Sequence, residues 1–382
     1  MRAVLVTTHP IQYQAPLFRL LAQRLDLDVV FMMRQTPKGQ AASGFGVEFE
    51  WDTPLVGGYR HVFANNVAAS PSSSHRNGIV LNGHESLLSS LRPDVLMTMG
   101  WFPRGYLQVI RQAKRMKVPL VCRGESNLLS SGSLMKRIFK LFYFPRFFRQ
   151  FDAFAVIGRR NREFYRDYGV PEKKLHNAPY SVDTLFFENA FARHRALVRK
   201  PGPWRIGFAG KLISKKRPLD LVEAIARSRS KDRIQLVLIG DGPLRGDAER
   251  IAAQKSISTE FRGFLNQSEI VEKGYRDLDA IVLPSGRDET WGLVVNEAMT
   301  GGIPAIVSNL VGCAPDLIEP DQTGYVFESG KTNQLAQSID RLVARLESDH
   351  DFAPAVRARI SNYSLDKTAD GVVEALHDAI AA

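Results

Sequence analysis

Leu283-Pro284-Ser285-Gly286-Arg287-Asp288-Glu289-Thr290-Trp291-Gly292-Leu293-Val294-Val295-Asn296-Glu297-Ala298-Met299 joins a short apolar run to a polar loop and then to a second apolar run. The first run reads as the end of a buried strand, and a helical pattern starts near Trp291 or Gly292. Strand, polar turn and helix in that order form the repeating unit of an α/β sheet. Glu289 and Glu297 enclose seven residues. If all eight steps between them were helical, a rise of ~1.5 Å per residue would set them about 12 Å apart along the axis. Retaining glycoside hydrolases hold their two carboxyls roughly 5 Å apart, and inverting ones up to about 9.5 Å. The spacing therefore disfavours two carboxyls acting on one carbon. It suits an elongated ligand with a carboxylate at each end and phosphates between them at the helix N-terminus. Glu297 would accept hydrogen bonds from ribose hydroxyls and Glu289 from sugar hydroxyls. Leu293, Val294 and Val295, with the small Ala298, Gly301 and Gly302, point to a packed helix rather than a solvated one.

Outward from this stretch the same alternation continues. Strands are expected at Arg205–Ala209, Ile234–Ile239, Glu260–Arg262, Ala280–Leu283, Ala305–Val307 and Tyr325–Phe327. In the first half they are expected at Ala3–Thr7, Asp28–Met32, Val95–Met99, Leu120–Cys122 and Ala153–Ile157, with helices at Pro16–Arg24, Gly105–Met116 and Arg159–Tyr168. The pattern breaks after Gly169, through Asn177-Ala178-Pro179-Tyr180-Ser181-Val182-Asp183, and again at Arg199-Lys200-Pro201-Gly202-Pro203. The fold class is thus α/β, with two Rossmann-like parallel-sheet domains facing a central cleft. The domains are 1–183 and 184–363, with a C-terminal helix at about 364–382 returning to the first. Ligands of open α/β sheets bind outside the carboxyl ends of the strands.

Two further strand-to-helix turns carry unusual residues. Gly207-Phe208-Ala209-Gly210-Lys211-Leu212-Ile213-Ser214-Lys215-Lys216-Arg217-Pro218 places four cations between a strand and a helix that begins near Pro218. Such a turn suits a pyrophosphate, and it equally describes a solvated basic loop. Ile239-Gly240-Asp241-Gly242-Pro243-Leu244 lacks the third glycine of a dinucleotide fingerprint. Close backbone approach to a ligand and an ordinary tight turn are both consistent with it.

Composition bounds the function. The chain has 382 residues, 44% hydrophobic and 24% charged, which suits two globular cores. No apolar run reaches the ~20 residues of a membrane-spanning helix. Met1-Arg2-Ala3-Val4-Leu5-Val6 is interrupted by Thr7-Thr8-His9-Pro10 and reads as a first strand rather than a signal sequence. The two cysteines, Cys122 and Cys313, fit no metal spacing, and a reduced cytoplasmic protein is expected. The net charge of +11 is unevenly distributed: residues 1–183 hold 25 Lys+Arg against 13 Asp+Glu, and the remainder holds 26 against 27. Between Trp101 and Lys174 there are 17 basic and 5 acidic residues. Nucleic acid, an anionic membrane surface and a phosphorylated substrate would each account for that excess.

The stretch Glu289-x7-Glu297, with its Gly-Leu-Val and Glu-Ala-Met runs, resembles the retaining glycosyltransferases of family 4, which have the GT-B fold. The likeness spans about Gly207 to Val326. It implies that Gly210, Lys211 and Lys216 form the phosphate-binding turn, with Lys211 standing where arginine is usual. It further implies that Thr290, Trp291, Gly292 and Leu293 meet the diphosphate, and that Gly263 and Phe264 meet the base. Asp241 and Gly242 complete the donor-binding set, with Glu297 on the ribose and Lys211, Lys216 and Glu289 catalytic. Asn177 to Asp183 resembles the family's linker signature, although Tyr180-Ser181 replaces the usual Asn-Gly.

The first half departs further from the family. His9-Pro10-Ile11-Gln12-Tyr13-Gln14 stands where a glycine-rich turn is common, and Arg123-Gly124-Glu125-Ser126 where many members carry a histidine. His9 and Glu125 are acceptor-side candidates, with structural roles equally open.

The activity implied by the resemblance is transfer from an NDP-sugar to an acceptor hydroxyl with retention of configuration. The leaving phosphate takes the acceptor proton, so no enzymic nucleophile is required. No cofactor or metal is expected, because lysines can neutralise the diphosphate and no Asp-x-Asp motif occupies a suitable turn. The acceptor is expected to be a glycan or lipid-linked intermediate of cell-surface polysaccharide or glycolipid synthesis.

Lys136-Arg137-Ile138-Phe139-Lys140-Leu141-Phe142-Tyr143-Phe144-Pro145-Arg146-Phe147-Phe148-Arg149 mixes cations with aromatics. Residues 136–149 could therefore lie on an anionic membrane surface at its cytoplasmic face, or pack in the first domain with their cations in solvent. A nucleotide-sugar epimerase or a sugar-phosphate synthase is the alternative within the fold. A nucleic-acid-binding protein is a distant one, since no zinc, helix-turn-helix or RNA-binding motif accompanies the basic stretch, and no nucleic acid is expected as partner.

Overall fold

The computed structural model describes residues 1–35, 49–129, 134–194 and 202–382, apart from the side chains of Leu134, Lys136 and Arg137. The expected linker residues Arg199-Lys200-Pro201 lie outside the described residues. The chain divides into two compact units. The first takes in 1–35, 54–180 and 365–382. The second takes in 181–364 together with the described residues 49–53.

The first unit is built on strands β1 (Arg2–Thr7), β2 (Asp26–Phe31) and β3 (Arg60–Phe63), a small antiparallel ribbon of β4 (Asn65–Asn66) with β5 (Leu81–Asn82), and then β6 (Val95–Thr98), β7 (Leu120–Cys122), β8 (Ala153–Val156) and β9 (Leu175–Asn177). Seven of these form one sheet in the order β3-β2-β1-β6-β7-β8-β9, with every pair parallel. A parallel sheet is covered by helices on both faces, so its strands are apolar throughout rather than alternating. Ala3, Val4, Leu5 and Val6 are accordingly all fully buried.

One face of this sheet packs Val4, Val6, Leu96 and Phe154 against the helices Arg104–Met116, Leu134–Phe148 and Arg159–Asp167. The other packs Ala3, Leu5, Val95 and Met97 against Ala15–Arg24 and the C-terminal helix Leu365–Ala381. The last helix is tied down by Arg24, which reaches Asp366 and Asp370 at 2.7 Å each. Thr368 Oγ1 also donates to the Pro179 carbonyl at 2.6 Å.

The second unit carries β10 (Trp204–Ala209), β11 (Ile234–Ile239), β12 (Thr259–Gly263), β13 (Ala280–Leu283), β14 (Ala305–Ser308) and β15 (Gly324–Phe327). They form an all-parallel sheet in the order β12-β11-β10-β13-β14-β15. The chain builds outward from β10 to β12, then returns to the other side of β10 with β13. The order therefore reverses between β10 and β13, the place where ligands of such sheets bind.

Every strand expected from the apolar runs is present, displaced by at most two residues at an end. The unforeseen strands are polar or very short. β3 reads Arg-His-Val-Phe on a sheet edge and β9 reads Leu-His-Asn, so neither shows the apolar run of a central strand.

Candidate functional site

The turns after β10 and β13 meet at the switch point of the second sheet. Gly286 N donates to the Lys215 carbonyl at 2.8 Å, which ties the two turns together through their backbones. Lys216 Nζ lies 2.6 Å from Glu289 Oε2, with side chains only 17% and 11% exposed. Burial disfavours the Glu289 carboxylate, yet the Lys216 ammonium, with Lys215 behind it, holds the group below the ordinary glutamate range. Lys211 is pushed down to about 8 by burial first and by Lys216 and Lys215 second. Three ammonium groups thus act on one another and on one carboxylate in this turn. Gly210 is part of the same turn, its position for a Cβ lying 3.9 Å from Lys216 Cε.

The neighbouring turns are braced against this one. A Cβ at Gly240 would stand 2.0 Å from the Gly210 carbonyl oxygen, so glycine is required there by the next turn's backbone. The backbone bonds Gly210 N to Ile239 O (2.9 Å), Leu212 N to Asp241 O (2.8 Å) and Leu244 N to Leu212 O (2.9 Å) lock the pair. Gly240 and Gly242 therefore serve turn-to-turn packing. Asp241 Oδ2 accepts from Arg245 Nη1 at 3.0 Å, and Gly263 O accepts from Gly240 N at 2.7 Å. Arg262 directs its guanidinium to Asp277, Glu260 and the Gly274 carbonyl, at 2.8 to 3.1 Å. Its side chain is thereby committed within the domain.

Phe264 is packed by Phe49, with ring centroids 4.3 Å apart. Asn266 Nδ2 donates to the Glu50 carbonyl at 2.8 Å, and Asp52 accepts from Ser268 N at 3.1 Å and from its hydroxyl. Residues 49–53 thus lie along the Phe264–Ser268 loop, a contact that their position in the first half of the chain did not suggest.

The loop from Pro284 to Gly292 is irregular, and the helix spans Leu293–Thr300. Glu297 is on the helix and Glu289 is not, so the eight steps between them are not all helical. Positive φ at Asp288 (71°) and Gly292 (102°) breaks the run. Gly292 is also sterically obligatory, because a Cβ there would lie 2.6 Å from Leu283 Cδ2. Gly312 N bonds Glu289 O and Cys313 N bonds Trp291 O, each at 3.0 Å, which holds the loop from its other side. Trp291 is buried, and its indole Nε1 donates to Asn296 Oδ1 at 2.8 Å. Its ring is a structural prop. Thr290 and Leu293 lie on either side of Trp291 in the chain. Val295 N donates to the Gly292 carbonyl at 2.9 Å, and the Leu293 and Val294 amides precede the helical ladder.

Glu297 accepts from the Tyr275 hydroxyl at 2.6 Å. Burial pushes its carboxyl up to about 7, opposed by the Tyr275 bond and the Lys216 charge. Lys216 thus acts electrostatically on both glutamates. Tyr275 is fully buried at the end of the π-helix Ile270–Tyr275, a rare turn that often marks functional sites. Tyr275, set between Gly274 and Arg276, gave no sequence signal. Among the described residues no group of three or more His, Cys, Asp or Glu side chains is placed to hold a metal ion.

His9 and Glu125 belong to the first unit and have partners of their own. His9 pairs with Thr8 Oγ1 at 2.9 Å, and burial lowers its ring to about 4, so it is neutral near pH 7. Glu125 Oε1 accepts from the Tyr180 hydroxyl at 2.5 Å. The Tyr180 ring meets Tyr13 at 5.6 Å and lies beneath the Arg123 guanidinium at 5.7 Å. Tyr13, Glu125 and Tyr180 come from three of the places where the sequence departs from the family pattern, and the fold brings them into one cluster.

Residues 191–359 match the family of glycosyl transferases group 1. Sulfoquinovosyl transferase SQD2 of Arabidopsis thaliana is 30% identical over 40% of this chain and 29% of its own length. A GDP-mannose-dependent alpha-mannosyltransferase of Mycolicibacterium smegmatis is 31% identical over 45% of this chain and 44% of its own. The chain thus spans less than half the length of either curated relative. Among solved structures, Anabaena HepE in complex with UDP superposes with a TM-score of 0.71 at 14% identity, covering 99% of this chain and 100% of that one. That likeness extends the fold, the GT-B pairing of two parallel-sheet units, to the whole chain. The likeness to the group 1 glycosyl transferases thus lies in residues 191–359, a little under half of the chain.

Proposed function

We propose that the protein transfers a glycosyl residue from a nucleoside diphosphate sugar to an acceptor hydroxyl, with retention of anomeric configuration. The acceptor in this reading is a glycan or lipid-linked intermediate of cell-surface polysaccharide or glycolipid synthesis. The observation that carries the reading is the Lys216–Glu289 pair at the switch point of the second sheet, with the Lys211 and Lys215 ammonium groups beside it. A diphosphate is an anion that such a cluster of cations suits, and preorganised cations stabilise it most as its charge develops.

The roles follow from position. Lys211, Lys216 and the N-terminus of the helix Leu293–Thr300 meet the departing diphosphate. The bond from the anomeric carbon to the phosphate oxygen breaks, a bond to the acceptor oxygen forms on the same face, and the acceptor proton passes to the phosphate. Glu289, kept ionised by Lys216, accepts from hydroxyls of the transferred sugar. Glu297 accepts from the ribose, and Tyr275 orients its carboxyl. Gly263 and Phe264 offer main chain and ring to the base, since the Arg262 side chain is committed elsewhere. The lysines take the charge-neutralising part that a divalent cation plays elsewhere. UDP in the HepE structure and GDP-mannose in the name of the mycobacterial relative support a nucleotide-sugar donor without choosing its base.

Glu289→Ala and Lys216→Ala should each lower turnover at least a hundredfold, with Lys216→Ala also weakening UDP binding measured by calorimetry. Near-normal turnover and UDP affinity in both variants would remove the assignment.

A further inference from the structure

Among the described residues the helix Leu134–Phe148 shows two apolar faces, one buried and one exposed. Phe144, Phe147 and Phe148 are buried beneath it, around Trp101, Phe164 and Tyr165. On the opposite side Met135, Ile138, Phe139 and Phe142 recur at helical spacing and are 81%, 47%, 64% and 65% exposed. Leu141, at 58%, borders the same stripe. A monomer rarely leaves a contiguous row of large apolar side chains in water without a use for it.

The surroundings are cationic. Arg146 continues the stripe one turn beyond Phe142, and its guanidinium returns to the Phe142 carbonyl at 3.0 Å. Arg149 follows, exposed. Arg76 and Arg111 lie near enough to Tyr143 to act on its phenol. The neighbouring helix Arg104–Met116 exposes Arg104, Arg111, Lys114 and Arg115 and packs on the same face of the sheet. The exposed Arg104, Arg111, Lys114, Arg115, Arg146 and Arg149 belong to the stretch between Trp101 and Lys174 that holds 17 basic against 5 acidic residues. No described helix is long and apolar enough to cross a membrane. An exposed apolar ridge set in cations has the chemistry of a helix that lies in a lipid interface.

We propose that the ridge Met135, Ile138, Phe139, Leu141 and Phe142 inserts into an anionic lipid surface, with the flanking arginines and lysines on the headgroups. The inference does not depend on the donor assignment. It gives a lipid-linked acceptor a route to the enzyme, and it stands even if the acceptor is something else. The aromatic rings enter the acyl boundary, while the charges act over about 10 Å at 0.1 M salt and draw the protein to the surface first.

The full chain is sedimented with vesicles of phosphatidylglycerol and phosphatidylcholine, and with phosphatidylcholine alone, at low and high salt. Binding is expected only with the anionic vesicles and should fall with salt. Phe139→Ser with Phe142→Ser, both exposed and so neutral to folding, should weaken vesicle binding tenfold or more while leaving UDP affinity by calorimetry unchanged. Arg146→Gln with Arg149→Gln should reduce the salt sensitivity. Failure of the wild type to sediment at low salt overturns the proposal, as does equal binding by the serine variant. Concentration-dependent self-association that the same serine substitutions abolish would assign the ridge to a second copy of this chain instead. Loss of UDP binding in the unsubstituted protein would strike the donor reading and leave this one intact.

Discussion

Replacing Lys216 by alanine removes the ammonium in direct contact with the buried Glu289 carboxylate and leaves Lys215 and Lys211 acting on it at longer range. At 2.6 Å and an effective dielectric of ~20, the gross attraction between the two charges is about 6 kcal/mol. Most of that is offset by the desolvation of both groups, but removing one partner strands the other. The expected loss is therefore about 3–5 kcal/mol near pH 8, the usual cost of an uncompensated buried charge. Both side chains are well under a third exposed, so solvent screening does not erase the effect.

The pH dependence is the sharper signature of that change. In the wild type Glu289 is held below its unfolded value of 4.5, so the pair's contribution is present above pH 4.5 and is lost as pH falls through the lower folded value. Without Lys216, burial dominates and moves the folded carboxyl above 4.5, which reverses the slope. The variant should recover at least ~1 kcal/mol of its deficit between pH 8 and pH 5.5, as the carboxyl takes up a proton, since each unit of pKa is worth about 1.4 kcal/mol. Denaturant unfolding followed by tryptophan fluorescence measures both quantities. Adding Glu289→Gln to Lys216→Ala should restore part of the stability at pH 8. A deficit below ~1 kcal/mol, or one that is the same at both pH values, would refute the electrostatic account of the pair.

Further outcomes are expected at Glu297, Tyr275 and Gly292. Glu297 is raised to about 7, so its stabilising contribution is complete below pH 4.5 and disappears as pH rises through about 7. Glu297→Gln should gain thermal stability relative to wild type over that range. Because the ribose needs an acceptor, UDP affinity should rise through the same range. Tyr275→Phe should move the midpoint upward, since the lost hydrogen bond favours the ionised form; an unmoved midpoint would show that Tyr275 does not govern this carboxyl. Gly292→Ala combines a φ of 102° with a Cβ 2.6 Å from Leu283 Cδ2, and a loss of about 2–4 kcal/mol in chemical unfolding is expected. A loss below ~1 kcal/mol would mean that the loop relaxes freely.

The strands and the order of turns were legible from the sequence because parallel strands covered on both faces need unbroken apolar runs. Ile234–Ile239 and Ala280–Leu283 are such runs, and the structure places both strands on those residues. Edge strands such as Arg60–Phe63 face water on one side, carry polar residues, and left no such trace. Residue types also marked the Lys211–Lys216 turn and the two glutamates. They did not show that Lys216 pairs with Glu289, that Tyr275 reaches Glu297, or that Gly240 is glycine for the sake of the Gly210 backbone.

Those facts depend on which strands lie side by side. Periodicity along the chain reports how each segment is buried, whereas Coulomb and contact energies depend on distance through space. The order β12-β11-β10-β13-β14-β15 sets that distance. The helix Leu134–Phe148 makes the same point. Its sequence is apolar and basic all round, and only packing against Trp101 and Phe164 decides that Phe144, Phe147 and Phe148 turn inward while Phe139 and Phe142 stay in contact with solvent.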